Sequence, residues 1–409
     1  MNKQITLRYK YRLMPSIEQA EMLAKFAAYS RGIWNLMLSE NQRRYRYNKT
    51  FFFYNEMASL LTELKSFEEF FWLKEIDSAA AQQTCKHLDK ALKNAFSKKA
   101  LQKFPQYKIS YQKKKIHEDA YTTINTNNSI QIKDGCIKIP KIGFIKIKLH
   151  RQLISPIKTV TIKYEHGHWY VSIVQTKTVT LKSMLSTSEG YDINSQQTVV
   201  GTQGFCVNNP KYLKSSKGKL AQLQRQLARR TKGSNRWIKT KKRINALHGL
   251  ITRQRLNFAH QTAFTIAKRS DLVIFEDLNV KGMQQFNGSM VADNVMGKIT
   301  SLVSYKTQLR GGLYHEIYRF AKSTGVCVKC HHPHKLDLKE RHFTCESCGF
   351  HQMRDESSAS TIHRIGIEEL ISAGIVDRVI PIAQEKAPVQ TKVFKRLNLG
   401  VGFEKKEAA

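Results

Sequence analysis

Apolar residues alternate at the start of the chain, through Ile5, Leu7, Tyr9, Tyr11 and Leu13. That period of two predicts a strand over residues 1–14 with one buried face. Pro15 and Ser16 then open a helix, with Ser16 and Gln19 at capping-box spacing. Residues 17–104 read as mostly helical. Ala27, Trp34, Leu36 and Met37 contribute one apolar face, and the alanine-rich stretch from Ser78 to Ala91 starts another helix, with basic residues on the polar faces. From Phe104 the period returns to two. Ile130/Ile132 and Ile137/Ile139 flank Asp134-Gly135, which predicts a two-residue hairpin turn of the primed type. Ile145, Ile147 and Leu149 continue the alternation, and Val160/Ile162 and Tyr170/Ser172/Val174 flank a second turn at His166-Gly167. These segments predict a small β-barrel or sandwich. The first strand joins it, so the helical block is an insertion.

Residues 180–188 are polar and serine-rich, as in a linker. A strand from Gly190 to Ile193 and a hairpin around Gly204 follow. Next comes a long basic helical pair, with stripes at Leu220, Leu223 and Leu227 and at Ile244, Leu247 and Ile251, and a turn at Gly233-Ser234-Asn235. Leu272-Val273-Ile274-Phe275 is a short continuous apolar run, the pattern of a strand buried on both faces of an α/β sheet. Periodicity is weak after residue 370, and no internal repeat is visible.

Composition narrows the class. In 409 residues, 68 Lys and Arg face 32 Asp and Glu, for a formal net charge of +36. The cations recur along the whole length, so the charge is no detachable tail. Such an excess opposes compaction unless a polyanion is the partner, and nucleic acid is the natural one. A hydrophobic content of 41% excludes a disordered chain. No apolar run reaches membrane-spanning length, and the N-terminus lacks the apolar core of a signal peptide. Seven cysteines in so long a chain do not make a disulfide framework. The expectation is a cytoplasmic protein, nucleoid-associated if the cell is a prokaryote and nuclear if the cell has a nucleus, with no membrane partner and no small-molecule substrate.

Three groups of residues could carry chemistry. Cys327, Cys330, Cys345 and Cys348 form two C-x-x-C knuckles. Four thiolates satisfy the tetrahedral preference of zinc, and each two-residue spacer lets one turn present two sulfurs. With no open coordination position the zinc is structural. His331, His332 and His334 lie beside the second cysteine and could substitute as ligands, but four cysteines already fill the site, so phosphate contact or plain solvation is favoured. Asp192, Glu276 and Asp355 come second. The first two end strands, where the chemistry of open α/β sheets sits, and Asp355 precedes a helix. Three acids in so basic a chain suggest a Mg²⁺ site of two ions, able to activate water for phosphodiester hydrolysis. The plain alternative is surface or cap carboxylates, with Asp355 capping its helix. Third, Lys214, Lys217, Lys219, Arg225, Arg229, Arg230, Lys232, Arg236, Lys239, Lys241, Lys242 and Arg243 crowd one helical hairpin with almost no acids to pair them. Contacts to a nucleic-acid backbone are favoured there. Trp237 reads as helix packing rather than as a base-stacking platform.

The chain resembles the TnpB proteins of insertion sequences, the "OrfB-type transposases" related to type V CRISPR effectors. The likeness covers nearly the whole chain. It rests on Tyr9-Lys10-Tyr11-Arg12-Leu13, Trp72-Leu73-Lys74-Glu75, Phe104-Pro105, Ile139-Pro140-Lys141-Ile142-Gly143 and Asn209-Pro210-Lys211-Tyr212-Leu213. Most specific is Phe275-Glu276-Asp277-Leu278-Asn279-Val280-Lys281-Gly282-Met283, and the double knuckle and Arg354-Asp355 follow in family order. The resemblance implies a multidomain α+β protein. A helical recognition block (15–104) is inserted in a small wedge-like β-barrel (1–14 and 105–180). An RNase H-like RuvC α/β domain (186–320 and 351–370) follows, interrupted by a zinc ribbon (321–350), with a tail over 371–409. It also implies a guide RNA made from the element's own end, double-stranded target DNA, and a catalytic triad on Asp192, Glu276 and Asp355. Several positions depart from the family pattern. Asn194 stands where a glycine usually follows the first acid, and Met353, Ser357 and Thr361 replace an acid and two amides around the third. Tyr318 replaces an aspartate before Arg319-Phe320, and His331 replaces a glycine after the second cysteine. The resemblance implies an RNA-guided DNA endonuclease supporting transposon maintenance and transposition, active or weakened by these changes; the family also includes guided relatives that have lost cleavage and act as repressors. The alternatives are a nuclease-dead repressor and a DNA-binding transposition accessory without a guide.

Overall fold

The structure, a computed structural model, describes residues 2–96, 109–113, 118–194, 197–280, 282–283, 285, 288, 293, 295–334, 341–377 and 379–382. It divides into two compact units. The first comprises Asn2–Val179 and Lys217–Thr252, the second Thr180–Ser216 and the chain from Arg253 onward.

In the first unit β1 (Asn2–Met14) leads into α1 (Ile17–Asn48). Ser16 caps that helix as its spacing predicts: its hydroxyl accepts Gln19 N–H at 3.2 Å, and the Gln19 side chain accepts Ser16 N–H at 3.1 Å. Helices α2 (Tyr54–Leu64), α3 (Trp72–Glu75) and α4 (Ser78–Phe96) follow. Strands β2 (Glu118–Ile124), β3 (Ile132–Lys133), β4 (Cys136–Ile139), β5 (Gly143–Lys148), β6 (Thr159–Glu165) and β7 (His168–Thr180) join β1 in one seven-stranded sheet. Its order is β2-β6-β7-β1-β5-β4-β3, so the first strand does enter the later sheet. One core unites both parts, with Leu23, Phe26, Ile33 and Leu88 from the helices among Tyr11, Ile145, Ile162 and Val171 from the sheet.

Both primed turns form. Asp134 and Gly135 have φ of 48° and 71°, and His166 and Gly167 have 51° and 85°, the left-handed values that match hairpin twist. The second turn corrects the sequence reading of β7. It pairs Glu165 with His168, which sets Ile162 opposite Val171 and Val160 opposite Ile173. The buried face of β7 is therefore Trp169, Val171 and Ile173, while Tyr170, Ser172 and Val174 lie on the less buried face. Both faces carry large side chains, so alternation alone does not choose between them; the turn length does.

The second unit is built on a five-stranded sheet. Its strands are β8 (Ser188–Asp192), β9 (Gln197–Gly201), β10 (Cys206–Asn208), β11 (Leu272–Glu276) and β12 (Leu313–Ile317), in the order β10-β9-β8-β11-β12. The β8-β9-β10 meander is antiparallel, and β11 runs parallel to both β8 and β12. Leu272 to Phe275 are buried throughout, as the continuous apolar run predicts. Helices α5 (Tyr212–Ala228) and α6 (Asn235–Arg269) form the basic hairpin, whose segment 217–252 groups with the first unit. The C-terminal end of α6 is tied to the sheet by a buried ion pair, in which Arg269 donates to both Glu189 oxygens at 3.0 and 2.9 Å. Helix α7 (Met296–Leu309) precedes β12, strands β13 (His342–Thr344) and β14 (His351–Met353) form a two-stranded ribbon, and α8 (Arg354–Ser372) lies against β8. No residue with a side chain fits where α8 crosses β8. A Cβ on Gly190 would fall 2.5 Å from the Ala359 carbonyl oxygen and 2.7 Å from His363 N.

Candidate functional site

The carboxylate site is assembled by strand register. Tyr191 pairs with Phe275 across the parallel β8–β11 ladder, their rings stacked with centroids 5.2 Å apart. The next residues, Asp192 and Glu276, therefore end adjacent strands at the same edge. Asp355 reaches this edge from the first turn of α8, the helix packed on β8. Burial first, then the negative charges of Asp355 and Glu276, push the Asp192 pKa up to about 7. Burial also raises that of Glu276, against a hydrogen bond from Ser323 Oγ at 3.3 Å that favours the charged form.

Asp355 is not the cap of its helix. Met353 holds the N-cap position and makes no side-chain cap bond. An acid there could accept a first-turn N–H, which a thioether cannot do. Asp355 is instead held at both oxygens, by Arg354 at 3.2 Å on Oδ1 and by the Asn194 side-chain amide at 2.9 Å on Oδ2. Asn194 and Arg354 escape a search for acids, although Asn194 is conspicuous as a departure from the family's glycine. Ser357 and Thr361 are buried. Thr361 Oγ1 donates to the Ser357 carbonyl at 3.0 Å, and neighbouring Ser358 meets Thr324 at 3.1 Å, which ties α8 to the entry of the ribbon. Three carboxylates that offer oxygen donors only, with the charges of Asp355 and Glu276 adding to burial in raising Asp192, are a donor set suited to hard divalent cations.

The knuckles converge. The sulfurs of Cys327 and Cys348 lie 3.7 Å apart, those of Cys330 and Cys345 3.4 Å apart, and all four fall within 4.8 Å of one another. A tetrahedral zinc with Zn–S near 2.3 Å needs sulfurs about 3.8 Å apart, so the cluster fits the ion. His331 has φ of 62°, the left-handed conformation that explains the family's glycine there. His334 departs from its sequence reading. Its Nε2 lies 3.3 Å from Cys345 Sγ and its ring edge meets Phe343, so it is engaged at the sulfur cluster rather than simply solvated.

On the hairpin, Lys214, Lys217, Lys219, Arg225, Arg229, Lys232, Arg236, Lys239, Lys242 and Arg243 are exposed. Gln222, Gln226, Arg225 and Arg229 line one groove along α5. Two of the twelve cations are engaged within the fold. Arg230 donates to the Arg236 carbonyl at 2.6 Å and to Thr240, and Lys241 lies over the Trp237 ring at 4.5 Å. The leucine stripe of α5 is only half-buried.

Three family models match this chain. One described as "Probable transposase" covers residues 192–287, a helix-turn-helix domain covers 1–50, and a Cas12f1-like TNB domain covers 297–362. Residues 2–48 fold as a strand and one long helix around a short connection. Two curated relatives are each 28% identical. A provisionally named RNA-guided DNA endonuclease, InsQ, of Escherichia coli (strain K12) aligns over 92% of this chain and 96% of its own length. A provisionally named RNA-guided DNA endonuclease of Streptomyces pristinaespiralis aligns over 90% and 91%. Among solved structures, a Cas12f1–sgRNA–target DNA complex matches 88% of this chain and 99% of its own, at 16% identity and a TM-score of 0.33. The mini RNA-guided endonuclease CRISPR-Cas_phi3 matches 93% and 94%, at 9% identity and a TM-score of 0.46. By these matches the chain resembles the TnpB proteins of insertion sequences. No helix among the described residues is long and apolar enough to cross a membrane.

Proposed function

We propose that this chain is an RNA-guided, Mg²⁺-dependent DNA endonuclease encoded by an insertion sequence. Residues 186–320 and 351–370 would be the RuvC-type lobe, carrying the zinc ribbon over 321–350. The helical block over 15–104 and the wedge over 1–14 and 105–180 would bind the guide and target. The observation that carries this reading is the meeting of Asp192, Glu276 and Asp355 at one sheet edge, where burial and then the charges of the other two acids raise Asp192 to about 7. The names of the two relatives support it.

Asp192, Glu276 and Asp355 would hold two Mg²⁺ ions, which when bound supply Lewis-acid activation of water and stabilise the leaving oxygen. The residues of the chain do the rest. Asn194 and Arg354 fix the Asp355 carboxylate, and Ser323 fixes Glu276. Exposed cations of the hairpin neutralise phosphates of the guide–target duplex without reading its sequence. The four cysteines would hold a structural zinc. Guide pairing would select the target, while the protein reads a short adjacent DNA motif.

Glu276→Gln tests the triad. It should abolish cutting and leave guide binding intact; retained cutting removes Glu276 from the site. Ribonuclease treatment of the purified complex tests the guide, since target binding that persists unchanged would mean a DNA-binding accessory. Guided binding without any metal-dependent product would mean a nuclease-dead repressor.

A further inference from the structure

Just beyond β12 the chain turns sharply, with Ala321 N–H donating to the Tyr318 carbonyl at 2.9 Å. The turn presents two aromatic rings to solvent, Tyr318 at 64% and Phe320 at 76% exposure. They meet edge to face, centroids 5.5 Å apart. Burial does not hold these rings, yet the backbone beneath them is anchored on both sides. Tyr318 N–H donates to Glu369 Oε1 at 3.1 Å, while the other Glu369 oxygen engages His315 at 2.7 Å. Between the rings, Arg319 donates to Asp277 Oδ1 at 2.9 Å and to the Asp277 carbonyl at 3.3 Å.

The position of this turn is set by the sheet. Ile317 pairs with Glu276 in the β11–β12 ladder. The rings thus stand one and three residues past the level of Glu276, at the edge that carries the candidate carboxylates. Lys322, exposed, follows them. We propose that Tyr318 and Phe320 form a stacking step for unpaired bases of the DNA strand presented to those carboxylates. This rests on the nuclease reading above. Every base has a π-face, so such a step tolerates any sequence, as a guided enzyme requires. Phosphate contacts alone let a strand slide; a stacked base beside the site limits that sliding.

The test uses the guide-loaded full chain carrying Glu276→Gln, with a short oligodeoxythymidylate containing one 5-iododeoxyuridine. Irradiation should crosslink the probe to Tyr318 or Phe320, read by peptide mapping. Tyr318→Ala with Phe320→Ala should weaken binding of the oligonucleotide about tenfold, from stacking worth roughly 1–3 kcal/mol per base. The same pair should leave an abasic oligomer of equal charge, and the salt dependence of binding, unchanged. Phe320→Trp should restore binding and guards against a folding defect. Crosslinks only elsewhere, or an equal loss on the abasic oligomer, overturn the step. A loss seen on oligouridylate and not on the DNA overturns its assignment to DNA. Plasmid cutting by the wild-type chain is scored separately. Crosslinks at the rings without cutting uphold the step and fail the nuclease reading, and cutting without such crosslinks fails the step alone.

Discussion

The Asn194 side chain bridges two elements: its amide donates to Asp355 Oδ2 at 2.9 Å, and its carbonyl accepts Gln197 N–H at 2.7 Å. The loop after the first candidate acid thereby orients the third. A glycine at this position, usual in the family, could make neither bond. Asn194→Ala should lower divalent-cation affinity, measured by Mn²⁺ titration at equilibrium, by about ten- to a hundredfold, the usual effect of losing a ligand's partner. The change should appear in the titration as well as in cutting. Unchanged Mn²⁺ affinity would show that Arg354 suffices.

The sulfur cluster predicts one zinc per chain by elemental analysis, and none in Cys345→Ser. His334→Ala should keep the zinc and weaken its retention against a chelator by about ten- to a hundredfold, because His334 is placed to donate to a ligating sulfur. Loss of zinc in His334→Ala without a chelator would make His334 a ligand in its own right.

Acid should loosen α8. His363 is buried against β8, its Nε2 2.7 Å from Ser188 Oγ, and burial pushes its pKa down to about 4. The unfolded chain takes up that proton near 6.5, the ordinary value. The contribution is complete above that pH and is lost as pH falls toward about 4, amounting to about 3 kcal/mol across the window. Protection of α8 amides, exchange being scaled to its intrinsic rate at each pH, should therefore fall between pH 7 and 5, and His363→Gln should flatten that dependence. An equal pH response in the variant would contradict it.

Gly190→Ala should be costly, because the added methyl meets backbone atoms that have no rotamer to change. About 1–3 kcal/mol is expected for such overpacking, visible as a lower Tm. Cutting should fall with it, since α8 carries Asp355 past β8. A variant with wild-type Tm would mean that α8 shifts freely.

Much of this was legible in the chain, where local chemistry allowed few solutions. The Ser16–Gln19 cap, the turns at Asp134-Gly135 and His166-Gly167, the buried run at 272–275 and the four cysteines each follow from one short-range rule. What escaped depends on contacts distant in sequence. The buried face of β7 follows from pairing through the His166-Gly167 turn. Arg230 and Lys241 count as free cations in the sequence and are partly engaged by Thr240 and Trp237 in the fold. Strand β12 alternates weakly, and its place is set by β11. The grip of Asn194 on Asp355 spans a separation of 161 residues, which no window of sequence brings together.

The most direct test is cleavage of a guide-matched plasmid in Mg²⁺ by the chain co-expressed with its native flanking DNA, beside Asp192→Ala. Guide-dependent cutting by the wild-type chain and none by the variant is the predicted result. Cutting that survives Asp192→Ala would contradict the carboxylate site, and guide-dependent binding with no cutting by either would leave a targeting protein in place of a nuclease.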